Sequence, residues 1–365
     1  MKLIAHLKLT PTPEQAALLL QTLEVANAAC DHMSDTAWQT QTFRHFDLHK
    51  LCYESVRASF GLSAQLTVRC LSKVADAYKL DRKTKRTFRP HGSIAYDDRI
   101  LSWNLHEPSV SIWTVQGRQS IPFVTGTRQM ALLRTRKGET DLAYVKGQFY
   151  LLATCEVAEL TPVGVDGTLG VDLGVTNIAV DSDGIMYSGT PMKVARYRHR
   201  RLRTKLQQKG TLGARRRLRK LAGQERRFAT HTNHVIAKRL VSAAQRTKRQ
   251  IALEQLKGIQ TRVRARKSQR PMLKSWAFHQ LQQFVRYKAR LCGVPVHFVD
   301  PRNTSRTCPA CGHCAKENRK SQAQFLCTSC SYAGNADVIA AINIGRRAAV
   351  SQPDYSDTPT GVAPE

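Results

Sequence analysis

Four cysteines fall in one stretch as two C-x2-C pairs, Cys308-Pro309-Ala310-Cys311 and Cys327-Thr328-Ser329-Cys330, with fifteen residues between them. Two such knuckles on adjacent hairpin tips set four thiolates tetrahedrally around one ion, which suits zinc. With every coordination position filled by protein, that zinc is expected to be structural, folding a ribbon and leaving no open position for water. Cys314 stands between the pairs as a spare thiol, while Cys30, Cys52, Cys70, Cys155 and Cys292 are scattered. In a reducing compartment such crowding argues for metal rather than disulfides.

Three acids sit where a carboxylate is costly unless a cation answers it. Asp172 lies within the apolar stretch Gly170-Val171-Asp172-Leu173-Gly174, Glu254 closes Ile251-Ala252-Leu253, and Asp337 falls in the first turn of a final helix just after the cysteines. Carboxylates from two strands and a helix can converge on two Mg2+ ions that activate water and stabilise the leaving oxygen of a phosphodiester. An RNase H-like nuclease needs acids in these places. Asp166, Asp181 and Asp183 are nearby competitors, but their glycine-flanked contexts read as linker or turn.

The elements that must hold these residues follow from periodicity. Residues 1–10 alternate as a short strand, and Thr12-Pro13-Glu14-Gln15 reads as a helix start with a capping box. Leu19, Leu23, Ala26, Cys30 and Met33 then form one apolar stripe, and helical periodicity continues from Leu48 to Leu80. From about Thr87 to Val157 short β-branched and aromatic runs alternate with turn residues, which predicts a β-barrel or sheet with the helices inserted. A linker at Glu159 to Asp166 leads into mixed α/β texture: a strand over Leu169 to Val180, a turn at Asp181 to Gly184, and a return strand over Ile185 to Ser188. Helices are expected over His234 to Ala244, Trp276 to Leu291 and about Asn335 to Ala348, with strands over Gln250 to Glu254 and Val294 to Val299. The tail from Ser351, rich in Pro, Ser, Thr and Asp, is expected to be disordered.

The chain of 365 residues carries 57 Lys and Arg against 27 Asp and Glu, a net charge of +30, which excludes an ordinary neutral enzyme surface. Hydrophobic residues at 42% are enough to bury real cores, so disorder throughout is excluded. A polyanion tolerates such a charge best, because each neutralised phosphate releases counterions. From Lys193 to Phe228 the only acid is Glu225, and arginines recur at helical spacings that repel in isolation. Arg215, Arg216 and Arg217 lie in this run and are its candidate nucleic-acid contacts. His6 and Lys8 interrupt the apolar start and no run is long enough to span a bilayer, so a cytoplasmic, nucleoid-associated protein with no membrane partner is expected.

Five blocks carry a resemblance: GVDLGVTNIAVDSDG at 170–184, RRFATHTNHVIAKRLV at 226–241, IALEQLKGI at 251–259, SWAFHQLQQFVRYKARLCGVPVHFVDPRNTSRTCPACG at 275–312 and FLCTSCSYAGNADVIAAINI at 325–344. In these the chain resembles the transposon-encoded TnpB (OrfB) family, relatives of the type V CRISPR effector nucleases. The resemblance implies an α/β and α+β multidomain chain: a β-barrel, wedge-like domain over 1–160 with a helical recognition insert at about 12–85; a RuvC/RNase H-like nuclease domain over 161–303 and 335–350; and a zinc ribbon inserted at 304–334. It further implies an endonuclease guided by RNA from the transposon end, cutting double-stranded DNA beside a transposon-adjacent motif. In such systems base pairing reads the target and protein reads the short motif. By position the family's catalytic residues fall on Asp172, Glu254 and Asp337, which would bind magnesium, and its zinc ligands on Cys308, Cys311, Cys327 and Cys330.

Two positions depart from the family pattern. Ser331 replaces a glycine after the last ribbon cysteine, at a cost in backbone ease. Ile339 replaces an asparagine two residues after Asp337, an expected loss of a polar group near the metals that lowers activity. Two competing readings use the same sequence: an RNase H-fold transposase or resolvase that recognises DNA by itself, and a catalytically weak or inactive RNA-guided DNA-binding regulator. The ribbon between strand and helix argues against the first, and the retention of all three acids against the second.

Overall fold

The computed structural model describes residues 1–162, 164–256 and 278–350, and the chain divides into two compact units, Met1–Ala158 and Glu159–Glu365. The expected disordered tail and the first residues of the expected helix at Trp276 lie outside the described residues.

In the first unit, β1 (Lys2–Leu9) leads into α1 (Pro13–Thr40), whose capping box is formed as the sequence predicts: Gln15 N–H donates to Thr12 Oγ1, and Thr12 N–H donates to Gln15 Oε1. The stripe from Leu19 to Met33 is fully buried. The helical periodicity expected over 48–80 is present. It is split into α2 (His45–Phe60) and α3 (Ala64–Leu80), because α3 restarts on a Ser63 cap that accepts from Leu66 N–H.

Six further strands complete the sheet: β2 (Ile94–Tyr96), β3 (Leu101–Asn104), β4 (Ser109–Thr114), β5 (Gly117–Val124), β6 (Arg136–Val145) and β7 (Gln148–Glu156). A short helix, α4 (Thr127–Leu133), separates β5 from β6. The strand order is β2-β6-β7-β1-β5-β4-β3. The terminal strands β2 and β3 are only a few residues apart in sequence, and the buried Tyr96 hydroxyl of β2 donates to the Trp113 carbonyl of β4 at 3.2 Å. A register shift between Arg136 and Thr140 bends β6 further, and the sheet curls into a nearly closed barrel around one apolar core.

The second unit is built on a five-stranded sheet of β8 (Gly167–Asp172), β9 (Asn177–Asp181), β10 (Met186–Ser188), β11 (Arg249–Glu254) and β12 (Val296–Val299), in the order β10-β9-β8-β11-β12. β8, β9 and β10 form an antiparallel meander, while β8, β11 and β12 are parallel. The single strand expected over 169–180 is therefore two, reversing through 173–176. The run there is apolar and β-branched enough to read as continuous, and the reversal is set by pairing of Val171 with Asp181.

Between β10 and β11 lie α5 (Thr190–Lys209) and α6 (Leu212–Arg246). The expected helix at 234–244 is the buried end of this longer α6, where Ile236, Ala237, Leu240, Val241 and Ala244 pack with α7 (Phe278–Leu291) over the sheet. Glu225 ion-pairs with Arg196 and Arg203 of α5, so the lone acid of the basic run ties the two helices together.

A final helix, α8 (Ala336–Val350), crosses the opposite face of β8 at very short range. A Cβ on Gly170 would overlap the Ala341 carbonyl and lie 2.5 Å from the Gly345 nitrogen. Backbone therefore packs on backbone here, which only glycine permits. Between β12 and α8 comes the cysteine-rich segment, with a 3-10 turn at Lys316–Asn318 and the small hairpin β13 (Gln324–Leu326) and β14 (Ala333–Asn335).

Candidate active site and metal centre

The four cysteine sulfurs of the ribbon all lie within 4.8 Å of one another. Cys308 and Cys330 Sγ are 3.6 Å apart, as are Cys311 and Cys327 Sγ. Four sulfurs at a Zn–S distance of about 2.3 Å in a tetrahedron are about 3.8 Å apart, so the donor set fits zinc. Backbone N–H groups of Cys330 and Ser329 point at Cys327 and hold its thiol down to about 6, which favours the thiolate a metal requires.

The two knuckles are built alike. Gly312 N–H donates to the Cys308 carbonyl at 3.0 Å and Ser331 N–H to the Cys327 carbonyl at 3.1 Å. Both residues adopt positive φ, +76° and +57°. Ser331 thus occupies a left-handed position where the sequence already departs from glycine. The buried Asn318 joins the knuckles: its amide donates to the Arg306 and His313 carbonyls, and its oxygen accepts from Thr328 N–H. Cys314 is exposed and lies outside the four-sulfur cluster.

The structure also brings the three acids together. Asp172 and Glu254 follow the last paired residues, Val171 and Leu253, at the carboxyl ends of neighbouring parallel strands, where α/β sheets place their ligands. Asn335 caps α8, its Oδ1 accepting from Asp337 and Val338 N–H, and Asn177 at the start of β9 donates to Asp337 Oδ2 at 3.0 Å. Burial, with Glu254 and Asp337 nearby, pushes the Asp172 carboxyl up to about 8. Burial likewise raises Glu254, and the hydrogen bond from Thr304 opposes that rise.

Arg319 of the ribbon lies 3.6 Å from Asp337 Oδ1 and is the cation that opposes the rise at Asp172. The single guanidinium leaves that carboxyl well above its ordinary range, the signature of a donor set that suits added positive charge. Among the described residues, only the cysteines form a group of three or more ligands all within 4.8 Å of one another. The other two carboxylates are thus near enough to act on Asp172 electrostatically without all three lying within 4.8 Å of one another.

Two of the competitors, Asp181 and Asp183, have other roles. Asp181 is buried in the β9–β10 turn, where Oδ1 accepts from Asp183 and Ile185 N–H, and Asp183 pairs with Arg249. Ile339 is buried with Cys308, Phe325, Cys327 and Ala336, so its side chain packs the ribbon onto α8. Where the family pattern has a polar side chain, this chain presents an apolar contact to the ribbon. Arg215, Arg216 and Arg217 are exposed near the start of α6, and among the described residues none of them makes an ion pair. Sequence reading missed Thr304, Arg319, Asn177 and Asn343, common residue types with no local pattern to mark them.

Two family models match this chain. One, OrfB_IS605, described as "Probable transposase", covers residues 154–259, and the other, the Cas12f1-like TNB domain, covers 278–344. A TnpB-like protein of Methanocaldococcus jannaschii is 29% identical over 52% of this chain and 71% of its own length. A CRISPR-associated endodeoxyribonuclease, Cas12f2, of a Micrarchaeota archaeon is 32% identical over 56% of this chain and 41% of its own length. The chain thus spans less than half of that relative.

Among solved structures, a Cas12f1–sgRNA–target DNA complex superposes with a TM-score of 0.61 at 16% identity, covering 92% of this chain and 83% of that one. The mini-RNA-guided endonuclease CRISPR-Cas_phi3 gives 0.58 at 11% identity, covering 97% and 93%. At such identities the likeness is one of overall fold alone. Among the described residues, no helix is long and apolar enough to cross a membrane.

Proposed function

We propose that this chain, which belongs to the TnpB family related to the type V CRISPR effectors, is an RNA-guided endonuclease that cuts double-stranded DNA beside a transposon-adjacent motif. The observation that carries this reading is the meeting of Asp172, Glu254 and Asp337, with the Asp172 carboxyl pushed up to about 8 by burial and by the other two acids. Asp172, Glu254 and Asp337 would hold two Mg2+ ions, and zinc would sit on Cys308, Cys311, Cys327 and Cys330. Divalent ions bound there supply an activated water and neutralise charge on the leaving oxygen of a phosphodiester.

The chain's own residues give that chemistry its geometry. β8 and β11 present Asp172 and Glu254 side by side, the capped start of α8 presents Asp337, and Asn177 orients one of its oxygens. The ribbon is rooted between β12 and α8, so a zinc-stabilised fold there fixes where the last helix begins. The domain plan in this reading is the barrel over 1–160, the nuclease over 161–303 and 335–350, and the ribbon over 304–334. The +30 charge serves a guide RNA from the transposon end and the target DNA, with exposed Arg215, Arg216 and Arg217 among the contacts, in a cytoplasmic, nucleoid-associated setting.

The test uses the purified protein with its co-purifying RNA and a matching duplex in Mg2+. Wild type is expected to cut, and Asp172→Ala to bind the duplex without cutting it. Equal cutting by the alanine variant would refute the site assignment, and tight binding without any Mg2+-dependent product from wild type would favour a regulator.

A further inference from the structure

A chain of buried hydrogen bonds runs from the root of the zinc ribbon to one of the three acids. Thr304 Oγ1 donates to Glu254 Oε1 at 2.7 Å, with both residues almost inaccessible to solvent. The hydroxyl has one proton, and the carboxylate is a stronger acceptor than the Pro301 carbonyl 3.2 Å away. The Thr304 backbone is itself held: Asn343 of α8 donates one amide proton to the Thr304 carbonyl and the other to the Thr307 carbonyl, each at 2.8 Å. Thr307 immediately precedes the zinc-ligating Cys308. From the other side, Gln282 of α7 donates to the Glu254 carbonyl at 2.6 Å.

We propose that Thr304 is the positioning residue for Glu254, fixing one carboxylate oxygen so that the other faces the cation site, and that Asn343 locks the segment carrying Thr304 to the helix that bears Asp337. This inference rests on the nuclease reading above. A glutamate has several rotatable bonds, and a directed charge-assisted hydrogen bond from a backbone-locked donor removes their freedom before any cation arrives. The same link makes the ribbon a support for two of the acids: Asp337 through the start of α8, and Glu254 through Thr304. Partners of this kind, one bond removed from a metal, typically change metal affinity roughly 10- to 100-fold.

The experiment measures Mn2+ binding to the full-length protein by electron paramagnetic resonance, taking Asp172→Ala as the blank that isolates binding at the carboxylates. Zinc content is determined by elemental analysis on every variant. Thr304→Val, which keeps the shape and removes the hydroxyl, is expected to weaken the Asp172-dependent binding roughly 10- to 100-fold with zinc content unchanged. Thr304→Ser is expected to restore it to within a few-fold. In cleavage, the Mg2+ concentration for half-maximal rate should rise more than the saturating rate falls.

Wild-type Mn2+ affinity in Thr304→Val would overturn the positioning role and leave the nuclease reading standing. Absence of any Asp172-dependent Mn2+ binding in wild type would overturn both. If Thr304→Val loses zinc, Thr304→Ala decides: weakened Mn2+ binding sustains the inference, and wild-type binding overturns it.

Discussion

The crossing of α8 over β8 sets the distance between Asp172 and Asp337, and it can be perturbed by one methyl group. Gly170 lies two residues before Asp172, about 7 Å along the strand, and its partner Gly345 lies eight residues after Asp337, about 12 Å along the helix. A Cβ at position 170 would lie 2.5 Å from the Gly345 nitrogen, where ordinary contact begins at 3.4 Å, and would also overlap the Ala341 carbonyl. Backbone atoms cannot rotate away as a side-chain tip would, so Gly170→Ala must push the helix off the strand by about 1 Å.

Overpacking of this kind costs roughly 1–3 kcal/mol of stability. A displacement of about 1 Å between catalytic groups can cost on the order of 100-fold in rate. Gly345→Ala is the matched control. Its Cβ would lie 3.3 Å from the Gly170 nitrogen, a far milder approach, and alanine gains about 1 kcal/mol of helix propensity over glycine. Urea unfolding and Mg2+-dependent cleavage of both variants give the comparison. Gly170→Ala is expected to lose stability and most of its activity, and Gly345→Ala to stay near wild type in both. Equal behaviour of the two variants, or wild-type activity in Gly170→Ala, would refute the claim that this crossing places Asp337.

Ser331 carries a left-handed backbone penalty at φ +57°, so Ser331→Gly should stabilise the ribbon by about 0.5–1 kcal/mol, read as roughly two- to fivefold tighter zinc retention against a chelator; unchanged retention would remove the strain argument. The Asp172 carboxyl is raised from 3.8 to about 8, so the folded protein keeps a proton that the unfolded chain has lost. Without added divalent ions, its contribution to stability should be full below about pH 4, fall as pH rises toward 8 and level off above that. Thermal melts of wild type against Asp172→Asn isolate this slope, and parallel curves would contradict it. Replacing Arg215, Arg216 and Arg217 with alanine should reduce the salt dependence of RNA binding by about 2 units in the log–log slope if all three meet phosphates. An unchanged slope would make them a merely solvated face.

Much of the chemistry was legible from local pattern. Two C-x2-C pairs confine four sulfurs to two tight turns, so their spacing alone predicts a tetrahedral site, and the structure gathers those four sulfurs. Asp172, Glu254 and Asp337 could be singled out because an acid inside or at the end of an apolar element is conspicuous, and the capping box of α1 because its partners are three residues apart. Periodicity marked helical and strand texture, yet it misplaced boundaries wherever the next residue was equally suited to continue. The apolar run at 169–180 shows this.

Other features exist only because distant segments pack together. That the three acids share one neighbourhood depends on β8 pairing with β11 and on a glycine crossing that no single element encodes. Thr304, Asn343 and Arg319 are ordinary residues in sequence, and they matter because folding brings each within bonding reach of a partner. By sequence Ile339 is only a departure from a polar family position, and tertiary packing shows what it touches, the apolar cluster that joins the ribbon to α8. The division has a physical cause: short-range sterics and periodic burial leave a trace in neighbouring residues. The direction of a side chain toward a group tens of positions away is settled by the packing of the whole unit.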